Sequence, residues 1–206
     1  MKSLKEKLVS ELKPVKVISS VRSQFFKWGI AALIFSSVFI FFFGQRIQSL
    51  TFFKNHEFLI EWLILLALLI LSSLCVILAS IPGRLKKFHI RVLSTLFIAL
   101  LISFFLRINL KSLFIMDLHF DCAVHILLLS LAPSLFFIYK FRSLYCINRK
   151  WLAFFIFLSS GLTALFLITS HCIITTPMHI FLWHYLPVGI LLMLSRVVYK
   201  YILKSL

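Results

Sequence analysis

Two short stretches hold most of the side chains able to do chemistry. The first places Asp117, His119, Asp121, Cys122 and His125 within nine positions, and the second holds His171, Cys172, His179, Trp183 and His184. Thiols and imidazoles ligate soft and borderline metal ions, and two thiols in an oxidising compartment can close a disulfide. Polar groups this dense in an apolar chain cost solvation unless they pair, bind something or face water. On a helix, Cys122 and His125 face the same way, and Asp121 is placed to hydrogen-bond His125 and hold its tautomer. The plainer reading of Asp121 is a carboxylate favoured by a helix N-terminus. His179 and Trp183 share a face at i, i+4, with His184 about 7.5 Å further along and needing a buried partner. Cys122 and Cys172 form a disulfide if their Cα atoms come within about 7 Å, or bind a metal with His125, His171 or His179. The first-choice metal set is Cys122, Cys172 and His125. Neither spacing is a metal motif by itself. The sensing candidates are therefore Cys122, Cys172, Asp121, His125, His179 and His184, while Cys75 and Cys146 are read as incidental.

The elements that must position these groups are membrane spans. The 206 residues are 62% hydrophobic, with 24 Phe, and the mean hydropathy is +1.06, values that no soluble domain reaches. Six apolar segments are expected at 28–43, 58–81, 92–106, 122–139, 151–170 and 179–199, each near the length that crosses about 30 Å of hydrocarbon. The first and third are short and borrow flanking residues; an odd count follows if one fails to span. The fold class is thus an all-α integral membrane protein, a bundle of six transmembrane helices. Its divisions are a polar tail at 1–27, a membrane domain at 28–199 and a short C-terminal tail at 200–206. Ile81-Pro82-Gly83 predicts a tight turn after the second span.

Charge gives the orientation. The net charge of +16 invites a nucleic-acid reading, but the basic residues sit in short clusters between apolar runs, as membrane topology is written. All but four of the 22 Lys and Arg residues (Arg46, Lys54, Arg107 and Lys111) fall on one side. Both termini are therefore expected in the cytoplasm, with no direct nucleic-acid contact. Every carboxylate of the membrane domain, Cys122, Cys172 and all histidines but His89 fall on the other side. There is no Cys-x-x-Cys, which argues against a thiol oxidase, and no deep intramembrane charge, which argues against a proton-coupled transporter.

The tail opens with a capping box, Ser3-x-x-Glu6, and repeats Leu4, Leu8 and Leu12 at a spacing of four before Pro14 stops the helix. Such a helix lies on anionic headgroups or docks a protein.

The chain resembles the NrsF-type family of bacterial inner-membrane anti-sigma factors over almost its full length. The resemblance rests on Leu8-Val9-Ser10-Glu11-Leu12-Lys13-Pro14-Val15, Ile81-Pro82-Gly83, Asp121-Cys122, Pro133, and Cys172 followed by His179 and Trp183-His184. Val17 stands where the family often has a second basic residue. The resemblance implies a non-enzymatic, multi-pass protein of the bacterial inner membrane. Its tail, through Leu4, Leu8, Glu11, Leu12, Lys13 and Pro14, would hold an extracytoplasmic-function sigma factor, with membrane lipids the other partner. It also implies that Cys122 and Cys172 sense a heavy metal or oxidant, with no resident cofactor beyond a transient metal ion. A membrane thiol–disulfide oxidoreductase and a metal or small-molecule permease are the alternatives.

Overall fold

A computed structural model describes residues 20–43, 56–107, 120–141 and 149–201, except 173 and 175. These residues form six helices and no strand. The helices are α1 (Val21–Phe43), α2 (His56–Ala79), α3 (Lys87–Arg107), α4 (Phe120–Phe141), α5 (Arg149–His171) and α6. The last is composite: Pro177–His179, a π-helical turn at Ile180–Tyr185, and Leu186–Tyr201. Five of them, α2 to α6, are long and apolar enough to cross a membrane, so this is a membrane protein. The expected first span lies on α1, which has 23 residues but is not among those five.

Each described helix starts before its expected span, because polar residues lead into the apolar core; α2 ends two residues early, at Ala79, ahead of Pro82. Ser20 caps α1 by accepting a hydrogen bond from the Ser23 amide at 3.3 Å, so the helix begins inside the segment assigned to the tail. At the start of α3, His89 accepts a hydrogen bond through Nδ1 from the Lys86 amide at 3.3 Å. Its own amide donates to the Lys86 carbonyl at 3.1 Å, a reciprocal cap that gives this histidine a structural task. Between α2 and α3 the expected turn forms. Pro82 cannot continue the helix, and Gly83 takes φ +73°, a left-handed conformation that suits a residue without Cβ.

Helix α5 is the axis of the bundle. Its side chains are buried almost continuously from Leu152 to Ile168, and α2, α4 and α6 pack around it. Lipid tails are as apolar as leucine, so small residues and interhelical hydrogen bonds must draw membrane helices together. The run Ser159-Ser160-Gly161 supplies both. Ser159 Oγ lies 2.7 Å from Ser73 Oγ on α2. Gly161 lets α6 approach so closely that an added Cβ would stand 3.0 Å from Val188 Cγ1. Near the end of α5, Trp62 Nε1 donates to Ser170 Oγ at 3.1 Å. Helix α3 packs on α2, where Ser103 Oγ donates to the buried Glu61 carboxylate at 3.4 Å.

The helices alternate in direction. At one end, Phe39 of α1 meets His171 of α5, Glu61 of α2 meets Ser103 of α3, and Cys122 of α4 meets Cys172. At the other, Trp28 stacks on Phe137 of α4, and Lys150 of α5 sits 5.8 Å from the Tyr199 ring of α6. Cys122, Cys172 and every described histidine but His89 thus lie at one end of the bundle and the basic clusters at the other, while Cys75 is buried towards the basic end of α2. The tail to residue 19, with Leu4, Leu8, Glu11, Leu12, Lys13 and Pro14, lies outside the described residues. So do Asp117, His119 and Cys146.

Candidate functional site

Cys122 is the third residue of α4, and Cys172 follows the last residue of α5, its amide still donating to the Ile168 carbonyl at 2.8 Å. Because α4 and α5 pack closely, their ends bring the two sulfurs to 3.8 Å, both as free thiols. The pairing expected from equal depth on two spans is thus present as a contact.

Helix α6 supplies the rest. Thr176 is extended, and Pro177 then opens the helix, where its missing amide hydrogen costs nothing. Two residues on, His179 is 1% exposed, with Nε2 3.4 Å from Cys172 Sγ. The helix then widens: the Leu186 amide donates to the Phe181 carbonyl, five residues back. Pro187 gives the physical reason. It has no hydrogen to donate to the Trp183 carbonyl, and its ring crowds that carbonyl. A π-turn relieves the crowding, and such turns stack residues five apart rather than four.

The consequence is chemical. In a regular helix His179 and His184 would point about 140° apart. Here their rings meet edge to face with centroids 5.2 Å apart, and His184 is also 1% exposed. Trp183, expected on the His179 face, packs instead against Phe120 of α4 at 4.6 Å. One ligand atom from each of Cys122, Cys172, His179 and His184 lies within 4.8 Å of the others.

The environment favours charge on one sulfur. Cys172 is held far below the usual thiol range, first by the hydrogen bond from the Cys122 thiol. Burial opposes this, and the His184 imidazole nearby adds to the lowering. Neither His184 ring nitrogen makes a hydrogen bond of good geometry among the described residues, so its part in lowering Cys172 comes from its closeness to that sulfur.

The remaining candidates are placed differently. His125 is half-buried and donates through Nδ1 to the backbone carbonyl of Asp121 at 2.6 Å, so the main chain takes part in orienting it. It is not one of the four clustered residues. Asp121 is exposed at the start of α4. His171 is also outside the cluster: its Nδ1 donates to the Leu167 carbonyl at 2.8 Å, and its ring meets Phe39 edge to face. Cys75 is wholly buried in α2 among apolar side chains. The contact that sequence reasoning missed is His184 on His179. Its signal was Pro187, four residues after Trp183.

No curated protein and no solved structure matches the chain. The model of the family described as "NrsF: Negative regulator of sigma F" matches residues 8–204, and over that length the chain belongs to the NrsF family.

Proposed function

We propose that this protein is a multi-pass anti-sigma factor of the bacterial inner membrane. Its N-terminal tail holds an extracytoplasmic-function sigma factor away from RNA polymerase, and a change of state at Cys122 and Cys172 releases it. The observation that carries the reading is the family match, which starts at Leu8 inside the tail and runs to residue 204. The separation of the thiol pair and the basic clusters to opposite ends supports it. Under the positive-inside bias the basic end faces the cytoplasm, where a sigma factor is, and the thiols face the periplasm. Both termini are then cytoplasmic and the bundle has six spans, α1 included. Release requires two bundle states separated by a few kcal/mol, which a ligand or a bond at the thiol end can bias.

The test is co-purification of a sigma factor with the full chain from membranes, beside a Leu8→Asp variant. A carboxylate on the Leu4, Leu8 and Leu12 stripe removes an apolar anchor, and losing such an anchor costs about 2 kcal/mol or more, roughly 30-fold in affinity. The expected outcome is retention by the wild type, loss by the variant, and a rise in sigma-dependent transcription without stress. A sigma factor held equally by both chains would sink the tail as the binding element.

A further inference from the structure

We propose that Cys122, Cys172, His179 and His184 form a four-ligand tetrahedral site for a divalent cation of the zinc and cadmium class, joining the ends of α4 and α5 to α6. The proposal rests on the reading of the thiol pair as the sensing centre and names the ligand and the two further residues that would bind it.

The geometry points to a cation because two of the six distances already match edges of a coordination tetrahedron and all four ligand atoms lie within 4.8 Å of one another, close enough to draw in around an ion. Metal–sulfur bonds of ~2.3 Å and metal–nitrogen bonds of ~2.0–2.1 Å at tetrahedral angles put S···S near ~3.8 Å and S···N near ~3.5 Å. The Cys122–Cys172 sulfurs are 3.8 Å apart, and Cys172 Sγ is 3.4 Å from His179 Nε2. A disulfide needs only the two sulfurs, at ~2.0 Å, and gives the imidazoles nothing to do.

His184 is the second, independent observation. It is 1% exposed, it belongs to the set of ligand atoms within 4.8 Å, and neither ring nitrogen has a hydrogen-bond partner among the described residues. A buried imidazole without a partner is costly, and a metal bond satisfies it. The donor set fits the cation class: two thiolates and two neutral imidazoles are a common tetrahedral zinc set, and thiolates favour softer ions. Two thiolates also cancel a charge of +2, so the loaded site is neutral where the chain enters hydrocarbon. On binding, any proton still held by a ligand sulfur is displaced by the cation and passes to water, and no electron is transferred.

The test uses the full chain in detergent or nanodiscs, thiols reduced under nitrogen, titrated with Co2+ and then Zn2+. The expected result is one Co2+ per chain, with the visible absorption of tetrahedral thiolate coordination, displaced by Zn2+. Cys122→Ser, Cys172→Ser, His179→Gln and His184→Gln should each weaken binding at least about 100-fold, since even an outer-shell partner is worth about 10–100-fold. His125→Gln and His171→Gln should leave affinity within about twofold, as the controls for folding and charge. Independently of any variant, Zn2+ should protect Cys122 and Cys172 of the wild type from maleimide, and a chelator should restore labelling. Unaltered affinity in His179→Gln and His184→Gln, or no stoichiometric binding by the reduced wild type, would overturn the proposal. Sigma-factor co-purification from the same preparation reads the parent proposal separately: a chain that holds the factor but no metal loses only this site.

Discussion

His184 lies edge to face against His179, five residues before it, at a centroid distance of 5.2 Å. No regular α-helix allows that contact, so it depends on the π-turn at Ile180–Tyr185 and on Pro187 behind it. Pro187→Ala restores the amide that the Trp183 carbonyl lacks and removes the ring that crowds it. The helix is then free to tighten to the α period and swing His184 off the face of His179. The expected outcome is a fall of about tenfold or more in Co2+ affinity, although no ligand has been touched, with helicity by circular dichroism unchanged. Wild-type affinity in this variant would mean that packing of Trp183 on Phe120, rather than the proline, holds the turn.

A second prediction concerns which sulfur reacts. An ordinary thiol near its usual pKa of ~8.5 is a few per cent thiolate at neutral pH, so its alkylation rate rises about tenfold per pH unit. Cys172 is shifted well below that range by the Cys122 thiol and by His184. The sign follows: its thiolate is already formed across neutral pH and is lost only as pH falls through the lowered value. In the metal-free protein, the Cys172 labelling rate should be nearly flat between pH 6 and 8, measured by mass spectrometry in a Cys75→Ser background. In Cys122→Ser, which removes the largest cause of the shift if the serine hydroxyl does not replace it, the rate should regain its pH slope. A tenfold rise per unit in the wild type would contradict the lowered pKa.

These two tests mark where the sequence was legible and where it was not. Long apolar runs bounded by Lys and Arg place most helix ends to within about two residues, because hydrophobic length is a direct readout of a bilayer, but they miss the polar starts of α1 and α3 at Val21 and Lys87. Cys122 and Cys172 could be matched by depth, since each heads or ends a span on the same side. His125 was drawn in by its spacing from Cys122, but spacing does not reveal that the Asp121 carbonyl takes its Nδ1. A period of 3.6 throughout puts Trp183 on the His179 face and gives no sign that His184 meets it. Pro187 was visible, but whether a proline kinks, breaks or widens a helix depends on the packing around it. The tail residues Leu4 to Pro14 fall outside the described structure, so their part rests on pattern and family.

Packing at the bundle axis gives a third prediction. A Cβ on Gly161 would stand 3.0 Å from Val188 Cγ1, and a β-branched valine has little rotamer freedom with which to retreat. Gly161→Ala should cost a modest amount. Gly161→Leu must push α6 from α5 and should destabilise by about 1–3 kcal/mol, the range for overpacked cores. Because α6 carries both cluster histidines and Cys172 follows α5, Gly161→Leu should also weaken metal binding from a distance. Thermal unfolding followed by circular dichroism, together with Co2+ titration, reads both effects. A stable Gly161→Leu variant would show that the close approach of α5 and α6 is not required.

The last prediction is topological, and the other functional arguments depend on it. The described basic residues Arg22, Lys27, Arg84, Lys86, Lys87, Arg91, Lys140, Arg149, Lys150, Arg196 and Lys200 lie on segments at or near the end away from the cluster, and Arg107 ends α3 on the cluster side. Moving such clusters across a membrane is disfavoured, so their end stays inside. Reporter fusions after Lys54, Lys111 and Thr176 should therefore read as periplasmic, and fusions after Lys86 and at the C-terminus as cytoplasmic. A reporter at the N-terminus is the sharpest and should read as cytoplasmic, because α1 is the one described helix outside the five of membrane-crossing length and hydropathy. If α1 crosses, its N-terminal tail and the C-terminus share the cytoplasm, and the tail can meet a sigma factor. If α1 lies on the surface while α2 to α6 keep their directions, the tail ends up on the thiol side. A periplasmic reading at the N-terminus beside periplasmic readings after Lys54 and Lys111 would mean that α1 does not cross. It would require a five-span bundle with a different account of how the tail reaches its partner.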